Sequence, residues 1–395
     1  MNNISDNNDW TECCLSDIAL INPRETIKKG STSKSVAMEK LVPYCRKIDG
    51  FELKAFKGGT KFRNQDTLLA RITPCLENGK TAYVDILEDG EIGFGSTEYI
   101  VIRPKEGLSD SKFLYYFSIS PRFREEAIKL MTGTSGRQRV QTDQIVSKIF
   151  AFPKLPEQKA IAAILTSFDD KIELLRQQNQ TLEDVAQTLF KEWFVDYRFP
   201  GASEMVDSEL GMIPERWKIG KLEELIEIKY GKDHKHLDNG EIPVYGSGGI
   251  MRYANKSLYS DQSILIPRKG TLSNLFYINT PFWTVDTMFY SKIRKKEFGK
   301  FCFLLLKTLN LSSMDVGSAV PSLTTHLLNG IKIIIPDDKI MKTFDDVVST
   351  IFKKKEFNET QIQTLTQLRD RLLPKLMSGE VRVSNFNKTK DEHLN

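Results

Sequence analysis

The feature that most constrains the fold is an internal repeat in which a strand and a long helix recur at one constant spacing. Each half of the chain contains a short apolar strand that ends at a proline, Pro153 in the first half and Pro336 in the second, a spacing of 183 residues. The same spacing relates Leu182 to Leu365. An offset that continues without a gap over about 40 residues indicates a duplicated structural unit.

After each proline, apolar residues recur in alternating steps of four and three, which is the heptad pattern of a coiled-coil helix. A helix of more than about 30 residues spans roughly 50 Å and needs a partner to cover its apolar stripe. We expect the two helices to pair as an antiparallel coiled coil. The alternative is two amphipathic helices in separate cores, although ordinary helices average only about 11–12 residues. The predicted helix-pairing residues are Ile161, Leu165, Phe168, Ile172, Leu175, Leu182, Leu189, Phe344, Val348, Ile351, Ile362, Leu365 and Leu372.

Polar residues interrupt both apolar stripes. Asn179 falls in the first stripe, and Lys355, Asn358 and Arg369 fall in the second, which is therefore weaker in its middle. A proline and a glycine near the end of the second stripe, Pro374 and Gly379, are expected to kink and then end that helix.

The segments outside the helices have a mixed strand and turn character. Trp10 opens the first of these regions and Trp217 opens the second, 207 residues later. Because the prolines that close the two regions are only 183 residues apart, the first region is 24 residues longer than the second. The predicted fold class is α+β, with two globular mixed α/β domains joined by the two long helices in an internal pseudo-twofold repeat. The expected boundaries are 1–155 for the first domain, 156–198 for the first helix, 199–336 for the second domain, 337–384 for the second helix and 385–395 for a flexible tail.

Composition agrees with a folded protein of the cytoplasm. The chain is 40% hydrophobic and 27% charged, which is typical of globular proteins. It has no apolar run near the roughly 20 residues that cross a bilayer, and its first residues are too polar for a signal peptide. Five cysteines occur without a Cys-x-x-Cys pair, so free thiols are expected. The net charge of +4 favours a nucleic-acid partner only weakly.

Motifs for catalysis are incomplete. Asn22-Pro23-Arg24 departs at its third position from the Asn-Pro-Pro-aromatic motif of adenine methyltransferases. Gly79-Lys80-Thr81 resembles the end of a phosphate-binding loop, but Pro74 stands where that loop requires its first glycine. His234 and His236 share one strand face, yet no third metal ligand follows at a suitable spacing. We therefore expect neither a catalytic centre nor a metal site.

Several segments instead combine glycine, hydroxyl groups and arginine, a composition suited to DNA. Glycine lets the backbone approach a phosphate, and Ser and Thr hydroxyls donate hydrogen bonds to the phosphate. Arginine can bind a guanine edge with two hydrogen bonds. The alternative for each segment is a solvated turn. The residues predicted to contact DNA on this basis are Arg71, Ser135, Arg137, Gln138, Arg139, Ser247, Arg252, Arg268 and Lys269.

Four longer strings resemble the specificity subunits of Type I restriction–modification enzymes. They are 155–165 (LPEQKAIAAIL), 190–197 (FKEWFVDY), 208–217 (SELGMIPERW) and 369–383 (RDRLLPKLMSGEVRV), and together they extend the resemblance over nearly the whole chain. The resemblance also matches the family's Gly-Ser-Gly-Gly stretch to 246–249, its Arg-Lys-Gly to 268–270 and its Ser-x-x-Pro-Ser-Leu to 318–323. It thereby adds Ser318 and Ser322 to the DNA-contact residues. The first domain departs from this pattern, because Gln138-Arg139-Val140 stands where the second domain has Pro321-Ser322-Leu323.

The resemblance implies a subunit without catalysis or cofactor of its own. Each of two target-recognition domains would read one half of a split double-stranded DNA site, and the paired helices would set the spacer between the halves. Two modification subunits, which carry S-adenosylmethionine and methylate adenine, would dock on the chain. Restriction subunits that use ATP and Mg²⁺ would join them.

Two other classes of protein remain open at this stage. One is an enzyme, a two-domain nuclease or methyltransferase with an unrecognised motif, which would act on DNA without partners. The other is a coiled-coil adaptor without a DNA role. Tight, salt-dependent binding to duplex DNA would exclude the adaptor.

Overall fold

The structure, a computed structural model, describes residues 10–202, 204–314 and 322–383. The chain divides into two compact units, a first unit of Met1–Leu175 with Thr360–Asn395 and a second unit of Arg176–Glu359. Across the described ranges, no helix has an apolar stretch long enough to cross a membrane.

The first unit combines short strands with short helices and the first half of a long helix. Its elements are β1 (Thr11–Cys14), α1 (Leu15–Ile18), β2 (Ala19–Ile21), β3 (Thr32–Val36), β4 (Glu52–Ala55), β5 (Thr60–Phe62), β6 (Thr67–Ala70), β7 (Thr81–Tyr83), β8 (Gly93–Gly95), β9 (Tyr99–Pro104), α2 (Ser111–Ile119), α3 (Pro121–Lys129), β10 (Met131–Thr132), β11 (Arg139–Val140), α4 (Thr142–Val146), β12 (Ile149–Phe152) and the first half of α5 (Leu155–Phe194).

Two four-stranded sheets form the body of this unit, in the orders β2-β9-β6-β7 and β4-β3-β8-β5. Strand β9 is buried on both faces because successive side chains point to opposite sides of a sheet. Ile100 and Ile102 enter the core that contains helix α2, whereas Tyr99 and Val101 enter a second core on the other side. These two cores explain why β9 reads as a continuous apolar run.

The second unit repeats this plan with a shorter chain. Its elements are β13 (Met205–Val206), β14 (Ile213–Pro214), β15 (Lys218–Lys221), β16 (Ile226–Tyr230), β17 (Ile242–Gly246), β18 (Gly249–Ala254), β19 (Ser263–Pro267), β20 (Phe276–Ile278), β21 (Trp283–Thr284), β22 (Met288–Ile293), α6 (Gly299–Thr308), α7 (Thr325–Asn329), β23 (Lys332–Ile335), the second half of α5 and the first half of α8 (Asp338–Ser378).

The sheet topology confirms the repeat inferred from sequence. The order β16-β22-β19-β20 is the counterpart of β2-β9-β6-β7, and the pair β15-β23 is the counterpart of β1-β12. Even the registers correspond, since Thr11 pairs with Phe152 in the first unit and Lys218 with Ile335 in the second. The predicted α+β fold, with two mixed α/β domains and two long helices, is confirmed.

Within the first unit, the start of α5 lies against the end of α8. Ile161 and Leu165 of α5 share one buried core with Leu373 and Leu376 of α8 and with the aromatic residues of α2. Helix α8 continues through Pro374, and Gly379, with a φ of +77°, follows its last residue. The expected end of the helix is therefore in place, since glycine adopts this left-handed conformation without strain.

Within the second unit, the other halves of the same helices pair in antiparallel order. As the chain advances along α5 it meets earlier positions of α8: Glu183 accepts a hydrogen bond from Lys355 (2.6 Å), and Phe190 packs beside Phe344 with ring centroids 6.5 Å apart. Burial of the predicted pairing residues varies along both helices. Ile161, Leu165, Ile172, Leu175, Phe344 and Val348 are buried, whereas Phe168, Leu182, Leu189, Ile351, Ile362, Leu365 and Leu372 are only partly buried.

Candidate nucleic-acid interface

In the first unit, the segment after β6 lies against the segment that precedes α4. The Val140 N–H donates to the carbonyl of Arg71 (2.9 Å), and an isolated antiparallel bridge joins Ile72 to Arg139. Residues 71–73 and 137–140 are here termed the first loop pair. Residues that are far apart in sequence thus meet at the end of a buried strand, and four of them are predicted DNA contacts: Arg71, Arg137, Gln138 and Arg139.

The second unit builds the same arrangement. The Leu323 N–H donates to the carbonyl of Arg268 (3.0 Å), and an isolated antiparallel bridge joins Lys269 to Ser322. Residues 268–270 and 322–323 are termed the second loop pair. It brings together three predicted DNA contacts, whereas the fourth in this region, Ser318, lies outside the described residues.

The two loop pairs are equivalent by their backbone contacts. Val140 and Leu323 lie at the 183-residue spacing of the repeat, and both donate to the carbonyl of an arginine, Arg71 or Arg268. That arginine directly follows β6 in the first unit and β19 in the second. Each domain therefore presents one arginine at the same place in its fold, on a loop held by a rigid strand.

The arginines of the first loop pair lie beside a carboxylate, Glu98, which was not predicted from the sequence. Glu98 accepts hydrogen bonds from Nε (2.9 and 3.0 Å) and Nη2 (2.7 Å) of Arg139. The Nε of Arg71 lies 3.8 Å from the same carboxylate. The hydrogen bond from Arg139, together with the charges of both guanidinium groups, holds the pKa of Glu98 below its usual range despite some burial, and the ion pair raises the pKa of Arg139.

In the second loop pair, the arginine lies over an aromatic ring rather than beside a carboxylate. The Arg268 guanidinium lies over the ring of Tyr230, 5.5 Å from its centroid, and Nη1 donates to the Asp286 carbonyl (3.2 Å). A cation over an aromatic face is attracted by the ring without losing its charge. Arg268 is therefore oriented but not neutralised, which suits contact with a phosphate or a guanine edge.

The glycine-rich turn of the second unit lies beside its loop pair. The side-chain amide of Asn274 donates to the Ser247 carbonyl (2.7 Å). Gly270 has a φ of +88°, and a Cβ at this position would lie 3.2 Å from the Ser247 hydroxyl. A larger residue at position 270 would thus be strained and crowded. The structure thereby places Ser247 next to Arg268 and Lys269, as one surface.

Arg252 has a different environment from the one expected of a base-reading arginine. Its Nη2 donates to the Leu237 carbonyl (3.0 Å) and to the side-chain oxygen of Asn239 (2.9 Å), so it braces the 237–239 loop. Its neighbours on β18 are apolar and exposed, with Met251 59% and Tyr253 46% accessible. Exposed apolar side chains on a hairpin can contact thymine methyl groups or wedge between base steps.

Other predicted contacts are exposed loop residues. Ser135 and Arg137 lie in the loop between β10 and β11 with exposed side chains, and Lys269 is exposed in the second loop pair. Gln138 is half-buried. Among the residues that the structure describes, no group of three His, Cys, Asp or Glu side chains is arranged to hold a metal ion.

Comparison with known proteins gives one consistent family. A model described as the Type I restriction modification DNA specificity domain matches residues 7–184 and 214–367. The Type I restriction enzyme MjaIX specificity subunit of Methanocaldococcus jannaschii is 30% identical over 316 residues, which are 72% of each chain. The HindI specificity subunit of Haemophilus influenzae is 24% identical over 469 aligned positions, covering 94% of this chain and all of that one.

A solved structure has the same fold. The crystal structure of the Type I restriction–modification system S subunit from M. genitalium aligns with a TM-score of 0.57 at 19% sequence identity, and the alignment covers 95% of this chain and 98% of that one. This similarity extends to both α/β domains and both long helices.

Proposed function

The chain belongs to the specificity subunits of Type I restriction–modification enzymes, and we propose that each of its two domains reads one half of a bipartite DNA site. The observation that carries this proposal is the pair of equivalent loop pairs, each with one arginine fixed at the end of a buried strand. The side chains around the two arginines differ, so the two domains would read different bases.

The enzymatic steps belong, in this proposal, to partner subunits. Modification subunits with bound S-adenosylmethionine would methylate adenine within the site, and restriction subunits would use ATP and Mg²⁺. This chain would supply the DNA sequence specificity and the docking surface, and would need no cofactor itself. Exposed apolar side chains on the helices support a docking role: Leu174 and Leu368 in the first unit, and Val185, Val347 and Phe357 in the second.

We further propose that the helices set the length of the DNA spacer between the half-sites. Inserting seven residues after Gln178 and seven after Gln361, positions 183 residues apart, keeps the heptad seam in phase. Each insertion lengthens its helix by roughly 10 Å. At about 3.4 Å per base pair, the preferred spacer should grow by about three base pairs. An unchanged optimum on targets with graded spacers would contradict the spacer role.

The experiment that tests the main proposal compares Arg71→Ala with Arg268→Ala, which serve as matched controls for each other. The wild-type chain, assembled with its modification subunits, is first used to map the methylated site on genomic DNA. Methylation rates are then measured on duplexes that carry single-base changes in either half-site. We expect Arg71→Ala to relax discrimination in one half-site only, and Arg268→Ala in the other, by about tenfold.

Two results would overturn the proposal. One is that both variants change the discrimination in both half-sites equally, which would make the two arginines general phosphate contacts. The other is methylation of DNA by the purified chain alone with S-adenosylmethionine, which would make the chain itself an enzyme.

A further inference from the structure

The two loop pairs differ at a position that their backbone contacts make equivalent. The Arg71 N–H donates to the carbonyl of Glu98 (3.0 Å), and in the second unit the Arg268 N–H donates to the carbonyl of Thr287 (2.9 Å). Glu98 directly precedes β9 and Thr287 directly precedes β22, which are matching strands of the two sheets. The first unit therefore carries a carboxylate where the second carries a hydroxyl group.

A second position changes together with this one. Arg139, which binds Glu98, has Ser322 as its counterpart at the 183-residue spacing. The first unit thus has an acid and an additional guanidinium group at the two positions where the second unit has hydroxyl residues. The acid and the cation that binds it thus occur together in one unit and are replaced together in the other.

The carboxylate of Glu98 is shared unequally between two arginines. Arg139 donates three hydrogen bonds to it, whereas Arg71 Nε lies 3.8 Å away. Arg71 Nε is also buried without a hydrogen-bond acceptor among the residues that the structure describes. A buried N–H without an acceptor costs free energy, so a small movement that brings Arg71 onto Glu98 is favourable once Arg139 leaves.

We propose that Glu98 sharpens the base specificity of the first half-site. It holds Arg139 in the free protein, and when Arg139 binds a base it accepts from Arg71 Nε instead, which leaves the Nη atoms of Arg71 for the base that Arg71 reads. The carboxylate stays paired throughout, and Arg139 is released only to an acceptor that can replace it. A phosphate is poorly suited to release Arg139 from Glu98, because the carboxylate repels it. The edge of guanine is neutral and offers two acceptors in the geometry that arginine matches. This inference rests on the proposed function of the chain.

The test uses Glu98→Gln, which keeps the shape of the side chain and removes its charge. Removing one acid beside the DNA should make the slope of log K against log salt steeper by up to about one, because one more cation becomes available to a phosphate. Discrimination among single-base changes in the first half-site should fall about tenfold, while discrimination in the second half-site stays unchanged. Glu106→Gln, the same substitution beyond the opposite end of β9, is the matched control and should change neither quantity.

Two further variants keep the test decisive if Glu98→Gln folds poorly, as judged by thermal unfolding. Glu98→Asp retains the charge but shortens the side chain, so it should keep the wild-type salt slope and lose discrimination in the first half-site. Thr287→Glu should make the salt slope shallower and alter only the second half-site. The inference would be overturned if the folded Glu98 variants kept the wild-type discrimination in the first half-site and Glu98→Gln also kept the wild-type salt slope. Failure of the wild-type complex to methylate any bipartite site would instead overturn the proposed function.

Discussion

The buried ion pair between Asp169 and Arg369 offers a quantitative test of helix packing in the first unit. Both side chains are only 7% exposed, and Arg369 Nη1 lies 2.6 Å from Asp169 Oδ1. The second oxygen of Asp169 accepts a hydrogen bond from the Tyr116 hydroxyl (2.7 Å). Replacing Arg369 with Met leaves the carboxylate buried with a single neutral donor. Breaking such a pair from one side costs about 3–5 kcal/mol of unfolding free energy.

Removing both charges should cost much less than removing one. In the double variant Asp169→Leu with Arg369→Met, neither charge of this pair remains, and the apolar side chains fill the space. The Tyr116 hydroxyl then loses its acceptor, which costs about 1–3 kcal/mol. We therefore expect the double variant to be more stable than Arg369→Met alone, by at least about 1 kcal/mol.

The assay is urea unfolding of wild type, both single variants and the double variant, followed by far-UV circular dichroism. Because the chain has two units, the transition that the mutations shift is fitted separately from any other. A loss below about 1 kcal/mol of unfolding free energy for Arg369→Met would contradict a buried ion pair, since exposed ion pairs contribute only that much.

Three further predictions concern the helices and can be tested in the same way. Leu165→Ala, at a fully buried position, should cost about 2–5 kcal/mol by urea unfolding. Leu182→Ala, at a partly buried position, should cost clearly less, and equal losses would contradict the observed difference in burial. Burial raises the pKa of Glu183, but the hydrogen bonds and charges of Lys307 and Lys355 together outweigh it and lower this pKa from 4.5. Its stabilising contribution is therefore present above about pH 4.5 and lost as the pH falls through the lowered pKa. The stability difference between wild type and Glu183→Gln should be constant from pH 7 to 5 and shrink below pH 4.5, and a difference that grows on acidification would contradict this sign.

The repeat and the helix pairing could be predicted because they depend on periodic patterns. The helix-pairing residues were predicted from the apolar stripes alone. Two of them, Leu182 and Leu189, are only partly buried. Asn179 and Asn358, which looked like weak points, are buried and joined by a hydrogen bond of 2.9 Å. Periodicity does not show that two polar interruptions will meet and form a hydrogen bond with each other.

The loop pairs were predicted only in part, since the variable domains differ in loop length. The 183-residue spacing aligns Val140 with Leu323, but Arg71 and Arg268 are equivalent at a different spacing, and Glu98 and Thr287 at yet another. No single offset could therefore reveal that Glu98 belongs to the site. The arginines themselves were found by residue type, and their partners emerged only from the tertiary contacts.

Whether each domain reads its own half of a DNA site can be decided by exchanging one domain and mapping methylation. Residues 10–153 are replaced with the matching domain of a relative, and methylated adenines are mapped across the genome of cells that express the chain with its modification subunits. We expect a bipartite motif for the wild-type chain and, after the exchange, one new half-site beside one unchanged half-site. A change in both halves, or a single continuous motif, would contradict this expectation.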